Sequence, residues 1–241
     1  HLQKIEERLV IHATEKLQPI NASFELTPLC NMNCDMCFIR LSDAEMKSQG
    51  RLLTLEEWTQ LAVRLKEAGT LFVLLTGGEP LLYPHFTKLY QQLRSQGMIV
   101  TINTNGTLVT DEIAAMWEKD KPRRVNVTLY GASNETYMKL CHHPNGFDQV
   151  MRGLKLLKDH HIDVKLNGTL VPENRHEIDQ LLAIVEQFDF PIKIDTYIYP
   201  SARKKVCPFK QESRMNAIYA ASCAGEIKRK QKTPAEFDRQ R

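Results

Sequence analysis

The sequence predicts an α/β protein: a parallel sheet of six strands with helices outside it, curled into an incomplete barrel. Strand-like and helix-like segments alternate about six times with short links, which is the pattern of successive β/α units. From the third strand onward each strand splits into an apolar side and a polar side, as where Val125, Val127 and Leu129 alternate with Asn126, Thr128 and Tyr130. A parallel sheet covered on both faces reads as continuous Val, Ile and Leu, and a closed eight-stranded barrel fills its lumen with branched side chains. A polar second face fits neither. It fits a curled sheet whose concave side holds water and a polar ligand.

The elements follow in order. Residues 2–17 read as a helix with Leu2, Ile5 and Leu9 at helical spacing, and Ala22 to Leu26 as the first strand. Thr54 is an N-cap for a helix carrying Leu55, Trp58, Leu61, Ala62 and Leu65, with Gly69 as its stop. The second strand, Leu71 to Leu75, alone lacks a polar side, which predicts cover on both faces. A helix from about Pro84 to Ser95 leads to the strand Met98 to Asn103, where Val100 and Ile102 oppose Thr101 and Asn103. A helix at Asp111 to Glu118, the strand Arg124 to Tyr130, a short helix ending at Cys141, and a helix at Phe147 to Asp159 come next. The fifth strand, Ile162 to Leu170, sets Val164, Leu166 and Leu170 against Lys165, Asn167 and Thr169. After a helix from Arg175 to Phe188, the sixth strand, Ile192 to Tyr199, sets Ile192, Ile194 and Ile198 against Lys193, Asp195, Tyr197 and Tyr199. Residues 212–231 read as helical, and Thr233-Pro234-Ala235-Glu236 opens a further helix as a capping signal.

With 241 residues, 42% hydrophobic and 25% charged, the chain has the composition of a soluble protein with an ample core. No apolar run approaches the ~20 residues of a membrane span, so no membrane partner is expected and the chain is placed in the cytoplasm, where grouped thiols mean metal more often than disulfide. The net charge of +3 is uneven, because eleven of the residues after Pro200 are Lys or Arg and only four are Asp or Glu. A solvated helix face accounts for this, and so does an acidic redox partner such as flavodoxin or ferredoxin; nucleic acid is not expected.

Three of the six cysteines fall within Cys30-Asn31-Met32-Asn33-Cys34-Asp35-Met36-Cys37. On a helix at ~1.5 Å per residue the outer pair would be ~10.5 Å apart, too far to grip one small centre, so the segment is a loop, as Pro28, Asn31, Asn33 and Asp35 also favour. Soft thiolates select zinc or iron–sulfur clusters. Structural zinc takes four ligands, usually as two pairs; a four-iron cubane on three thiolates leaves one iron without a protein ligand, a place for chemistry. The motif alone leaves both open. After the second strand stands Thr76-Gly77-Gly78-Glu79-Pro80, whose glycines let backbone approach a ligand at the carboxyl end of a parallel strand, where ligands bind in such sheets.

Together these residues resemble the radical S-adenosylmethionine (radical SAM) superfamily: CxxxCxxC after the first strand, TGGEP after the second, and Thr104-Asn105-Gly106 after the third, over roughly Ser23 to Tyr199. The resemblance implies a partial (β/α)6 TIM-like barrel with helical extensions at both ends, a 4Fe–4S cluster on Cys30, Cys34 and Cys37, and S-adenosylmethionine as cofactor. It implies that Gly77, Gly78 and Glu79 meet the cofactor's amino group, with Thr76 and Asn105 as further cofactor-binding candidates, so that Gly78→Val spares the cluster and weakens cofactor binding. On the polar face of the strands, Asn103, Thr128, Lys165 and Asn167 become candidates for its carboxylate and ribose. The family usually has an aromatic residue before the third cysteine; here it is Met36, a polarizable side chain that can cover an adenine edge, with Phe38 on the other side of Cys37.

Tyr130-Gly131, Glu135-Thr136-Tyr137, Leu140-Cys141, Asn167 to Leu170 and Pro172-Glu173-Asn174 resemble the branch whose barrel is followed by a cysteine-rich auxiliary-cluster (SPASM) domain, many of whose members modify peptides. The implied activity is reductive cleavage of S-adenosylmethionine to a 5′-deoxyadenosyl radical that abstracts hydrogen from a peptide or protein. Asp195 and Tyr197, on the polar side of the sixth strand, are the candidate proton acceptors; a structural Asp195–Lys193 pair is the other reading of that acid. The expected units are a helical segment at 1–20, the barrel at 21–200 and a basic helical extension at 201–241 leading to an auxiliary domain. Cys141-His142-His143 ends a short helix, and Cys207 and Cys223 are too far apart in sequence to propose a site. Alternatives are a radical SAM enzyme acting on a small molecule, of the molybdenum-cofactor type, and a non-catalytic zinc-binding or scaffold protein.

Overall fold

The computed structural model describes residues 2–199, 203 and 217–230. Six strands form one parallel sheet in the order β1-β2-β3-β4-β5-β6: Asn21–Glu25, Phe72–Thr76, Ile99–Thr104, Arg124–Leu129, Val164–Thr169 and Ile192–Asp195. A strand order with no reversal, joined by crossovers of one hand, places every connecting helix on the same side of the sheet. That side carries the core, where Leu75, Ile102, Val125, Val127 and Leu166 are fully buried against Leu89, Trp117, Leu154 and other helix residues. Each such aliphatic side chain contributes ~1.5–3 kcal/mol through burial. The other side is concave and polar, as the sequence predicts.

Register stacks the polar residues into rows. Asn103 lies beside Asn126, and Asn126 beside Lys165; one step on, Thr128 lies beside Asn167 and Asn167 beside Lys193. Asn126 Nδ2 donates to Asn103 Oδ1 at 2.7 Å, so neighbouring strands satisfy each other's amides across the concave face. The second strand departs from its expected cover. Val73 and Leu75 are buried while Phe72, Leu74 and Thr76 are half-buried, so β2 has the same two faces as its neighbours and simply lines the lumen with apolar groups. The guanidinium of Arg123 lies 5.4 Å from the centre of the Phe72 ring, an amphipathic cover for that end.

The helices are α1 (Leu2–Glu15), α2 (Asp43–Gln49), α3 (Leu55–Glu67), α4 (Phe86–Ser95), α5 (Asp111–Lys119), α6 (Asn134–Cys141), α7 (Gly146–Asp159), α8 (Ile178–Phe188) and α9 (Ala217–Lys230). Helix α3 starts at Thr54 as predicted, with a reciprocal capping box to Glu57. Helix α2 is absent from the sequence reading, although Ser42 and Glu45 form the same box. In α1, Ile5 and Leu9 are exposed and Ala13 is buried, so these two residues of the predicted stripe do not face the core. Strand β6 stops at Asp195 because its ladder with β5 ends where Thr169 pairs with Asp195. Tyr197 and Tyr199 therefore lie beyond the strand, although Ile198 still turns into the core.

Helix α9 packs Cys223 and Ile227 on Leu170 and Ile178. Its Lys230 pairs with Asp179 at 2.5 Å and Glu226 at 3.1 Å, so this part of the basic extension is a paired surface. Cys207, the capping signal at Thr233 and most of the basic residues after Pro200 lie outside the described residues. Among the described residues no helix is long and apolar enough to cross a membrane.

Candidate metal and cofactor site

The pairing of β1 and β2 continues past both strands. Leu26 N donates to Thr76 O at 2.9 Å, Gly78 N to Thr27 O at 2.7 Å and Glu79 N to Leu29 O at 2.9 Å. This extension fuses the glycine turn to the approach of the cysteine loop. Both glycines are required by that approach: a Cβ on Gly77 would lie 2.5 Å from the Thr27 carbonyl oxygen, and one on Gly78 2.2 Å from that of Leu29. Beyond any approach to a ligand, these glycines accommodate the chain itself.

The three cysteines are half-buried in a non-helical loop. Cys30 Sγ accepts from Met32 N at 3.4 Å and from Asn105 Nδ2 at 3.7 Å, and Cys37 Sγ accepts from Arg40 N at 3.3 Å. Burial pushes the Cys30 thiol up to about 12 and raises Cys37 as well, against the backbone donors that lower both. Thiolates at these positions therefore call for a bound cation, which deprotonates coordinating thiols outright. Among the described residues no three His, Cys, Asp or Glu side chains converge tightly enough to hold a single metal ion. A cubane offers each thiolate its own iron and needs no such convergence, so the donor set fits a cluster better than mononuclear zinc.

Glu79 is fully buried. Its carboxylate accepts from Leu81 N at 3.1 Å, Thr104 Oγ1 at 2.8 Å and Asn105 N at 2.8 Å, tying the loop after β2 to the loop after β3. Desolvation raises its pKa to about 7 in spite of these three donors. Asn105 continues the tie toward the metal loop. Its Nδ2 donates to Asn31 Oδ1 at 2.9 Å and its Oδ1 accepts from Thr107 N and Thr107 Oγ1, while Asn31 Nδ2 donates to Thr107 Oγ1. Asn31 and Thr107 were missed by sequence reasoning, since nothing in their spacing announces a contact made across 76 residues.

Other expected residues are distributed as follows. Asn103, Thr128, Lys165 and Asn167 share the concave face. Met36 is packed into the core beneath the loop, because an unbranched apolar side chain fills that gap, whereas Phe38 is 42% exposed. Of the two residues flanking Cys37, Phe38 is the one open to solvent. Its ring lies 5.8 Å from that of Tyr199, which in turn meets Tyr197 edge-on at 5.0 Å. Asp195 pairs with Lys193 at 2.9 Å on the exposed edge of the sheet. Arg203, also unforeseen, donates to Ile39 O at 2.8 Å and pairs with Glu25, so its side chain bridges β1 and the stretch just past the cysteine loop. Cys141, for which the sequence proposes no site, is buried, and its backbone carbonyl accepts from Asn33 N of the cysteine loop at 2.9 Å.

Known proteins are similar to this chain in sequence and in fold. It is 26% identical to the AdoMet-dependent heme synthase of Methanosarcina barkeri over 212 residues, covering 86% of this chain and 60% of that protein. It is 27% identical over 164 residues to the antilisterial bacteriocin subtilosin biosynthesis protein AlbA of Bacillus subtilis, covering 68% of this chain and 36% of AlbA. The chain thus spans about a third to three fifths of the length of these curated relatives. The crystal structure of Streptococcus suis SuiB bound to S-adenosylmethionine superposes with a TM-score of 0.69 at 14% identity, over 94% of this chain and 50% of SuiB. SuiB bound to its precursor peptide SuiA superposes at 0.64 and 17% identity, over 84% and 46%. The profile of the Radical SAM superfamily matches residues 24–185, and that family uses a 4Fe–4S cluster with S-adenosylmethionine. With the matched region running from β1 into α8 across the cysteine loop, the glycine turn and the Asn105 loop, the chain belongs to the radical SAM superfamily.

Proposed function

We propose that Cys30, Cys34 and Cys37 hold a 4Fe–4S cluster and that the chain acts, in the cytoplasm, on a peptide or protein. When bound, the cluster and S-adenosylmethionine supply reductive cleavage of the sulfonium and abstraction of a hydrogen atom from the substrate. The observation that carries this reading is the fusion of the glycine turn to the metal loop through the Leu29 carbonyl: one rigid backbone unit presents both the thiols and the turn. Thr76, Gly77 and Gly78 offer backbone groups to the cofactor's amino group, with Glu79 beneath them fixing the turn against Thr104 and Asn105. Asn103, Thr128, Lys165 and Asn167 supply donors and a positive charge on the concave face for the carboxylate and ribose, and Phe38 an exposed ring for the adenine. Preorganised donors of this kind hold a reacting group near one C–H bond and exclude competing reactions.

A peptide substrate is supported by the likeness to AlbA and by the fold of SuiB, solved with a precursor peptide. A small-molecule substrate is the second reading, favoured by the heme synthase match over 86% of this chain. The basic composition after Pro200 supports an acidic electron donor such as flavodoxin or ferredoxin. The test incubates the reconstituted, reduced chain with S-adenosylmethionine and a candidate precursor peptide. A peptide mass change that depends on the cofactor supports the reading; turnover of a tetrapyrrole or nucleotide with no change in any peptide replaces it by the second.

A further inference from the structure

Helix α6 is bonded at each end to a different loop at the carboxyl edge of the sheet. Its start is anchored by Glu177, a buried side chain in the stretch between β5 and α8. The Glu177 carboxylate accepts from Ala132 N at 2.7 Å, Ser133 Oγ at 2.5 Å and Thr136 Oγ1 at 2.8 Å, and Ser133 Oγ in turn caps the helix by accepting from Thr136 N at 3.2 Å. Gly131 leaves no slack there, since a Cβ on it would lie 2.6 Å from Glu177 Oε2 and 2.3 Å from Thr136 Cγ2. In the same stretch Asn174 Nδ2 donates to Tyr130 O and Thr169 O, each at 2.9 Å. The ends of β4 and β5 and the start of α6 are thus one bonded unit. At the other end of α6 the last helical carbonyls have no partner within the helix. The cysteine loop supplies partners: Asn33 N donates to Cys141 O at 2.9 Å and Asp35 N to Leu140 O at 2.9 Å. These two bonds flank Cys34. His142, in a left-handed conformation (φ 52°, ψ 39°), adds a side-chain clasp with its Nε2 2.7 Å from Asp35 Oδ1.

We infer that α6 is a strut that positions Cys34, and that Glu177 is a positioning residue acting through it from the far end. The eight residues of α6 rise ~12 Å at ~1.5 Å each, while β1 and β4, three places apart in the sheet, are separated by ~14 Å at ~4.8 Å per strand. A rigid helix of this length can join the end of β4 to the loop after β1. Cys30 lies beside the glycine turn and Asn105, whereas the middle of the loop takes its backbone bonds from α6. Fixing that backbone before the metal arrives removes the entropy cost of ordering it on binding, and outer partners that fix a ligand's position are part of a metal site. Removing the Glu177 carboxylate leaves the donors at Ala132, Ser133 and Thr136 without this acceptor and frees the start of α6 to shift. The helix carries that shift to Asn33 and Asp35.

The consequence for iron rests on the proposal that Cys34 is a cluster ligand, so the experiment has two arms. In the first, amide hydrogen exchange is followed by nuclear magnetic resonance in the metal-free full chain, wild type against Glu177→Ala and Glu177→Gln. The amides of Asn33 and Asp35 report on the strut; those of Gly78 and Glu79, which bond the entry of the same loop to the glycine turn, are the reference. In Glu177→Ala the first pair is expected to exchange at least ~10-fold faster while the second stays within about twofold of wild type. Glu177→Gln, whose side-chain oxygen can still accept from Ser133 and Thr136, is expected to fall between, and it carries the comparison if alanine does not fold. A loss of global stability alone speeds all four amides alike; that result, or no change at any of them, overturns the inference. In the second arm, anaerobically reconstituted Glu177→Ala is expected to hold wild-type iron and to lose it several-fold faster to a chelator, and equal rates overturn the positioning of Cys34. Cys34→Ala is the control: a full cluster there would remove the ligand proposal and leave the exchange arm to decide the strut.

Discussion

The carbonyl oxygen of Leu29 occupies the space in which Gly78 would carry a side chain, 2.2 Å from where its Cβ would sit. Backbone cannot yield there without moving Cys30, the next residue. Gly78→Ala is therefore expected to lower iron incorporation and cofactor affinity together, with an overpacking cost of ~1–3 kcal/mol. This replaces the sequence-based expectation that a larger residue at 78 spares the cluster. Iron content and calorimetric binding of S-adenosylmethionine check it; full iron with weakened binding would restore the earlier view.

Glu79 gives a pH dependence of stability. Its folded-state pKa of about 7 lies above the ordinary carboxylate value of 4.5, so between these values the folded chain binds more protons than the unfolded chain, and stability falls as pH rises. A shift of this size corresponds to a loss of ~3 kcal/mol across that window, level above it. Glu79→Gln should flatten this segment of the curve, although it also misplaces one donor among Leu81, Thr104 and Asn105. Denaturant unfolding of the metal-free chain from pH 4.5 to 7.5, wild type against variant, is the measurement; parallel curves would contradict it.

Asn105→Ala removes a side chain that satisfies Asn31, Thr107 and Cys30 at once. Leaving a buried partner unpaired costs ~1–3 kcal/mol, so stability should fall by about 2 kcal/mol and the cluster should be lost more quickly to a chelator. A chelation rate equal to that of wild type would show that the network does not support the metal loop.

The Asp195–Lys193 pair is more than half exposed on both sides, and such pairs contribute only ~0–1 kcal/mol. Asp195→Asn should then leave the melting temperature nearly unchanged. If Asp195 takes a proton from the substrate after hydrogen abstraction, the variant forms 5′-deoxyadenosine but little product. Equal yields of both, at wild-type level with the true substrate, would take Asp195 out of the chemistry.

The fold was legible because burial follows the alternation along each strand: Val125, Val127 and Leu129 face the helices and Asn126 and Thr128 the lumen, as their order implies. The same rule overextended β6, since Ile198 continues the alternation after the ladder has ended, and chain periodicity does not report hydrogen bonding. It also misjudged β2, where apolar residues line an open lumen instead of a second covered face. Helix α2 was missed although Ser42 and Glu45 carry a readable capping box. In the site, motif spacing located the metal loop and the glycine turn. It could not show that Met36 turns into the core and Phe38 out of it, nor that the end of α6 lands on Cys34, because these depend on how separate loops meet after the barrel forms.

The central claim is that three thiols on one loop hold a redox cluster that cleaves S-adenosylmethionine. The direct measurement is iron, sulfide and zinc content after anaerobic reconstitution, followed by 5′-deoxyadenosine formation on reduction with S-adenosylmethionine present. About four iron and four sulfide per chain, with 5′-deoxyadenosine formed by wild type and not by Cys34→Ala, is the predicted result. Zinc without iron or sulfide, and no 5′-deoxyadenosine, would contradict it.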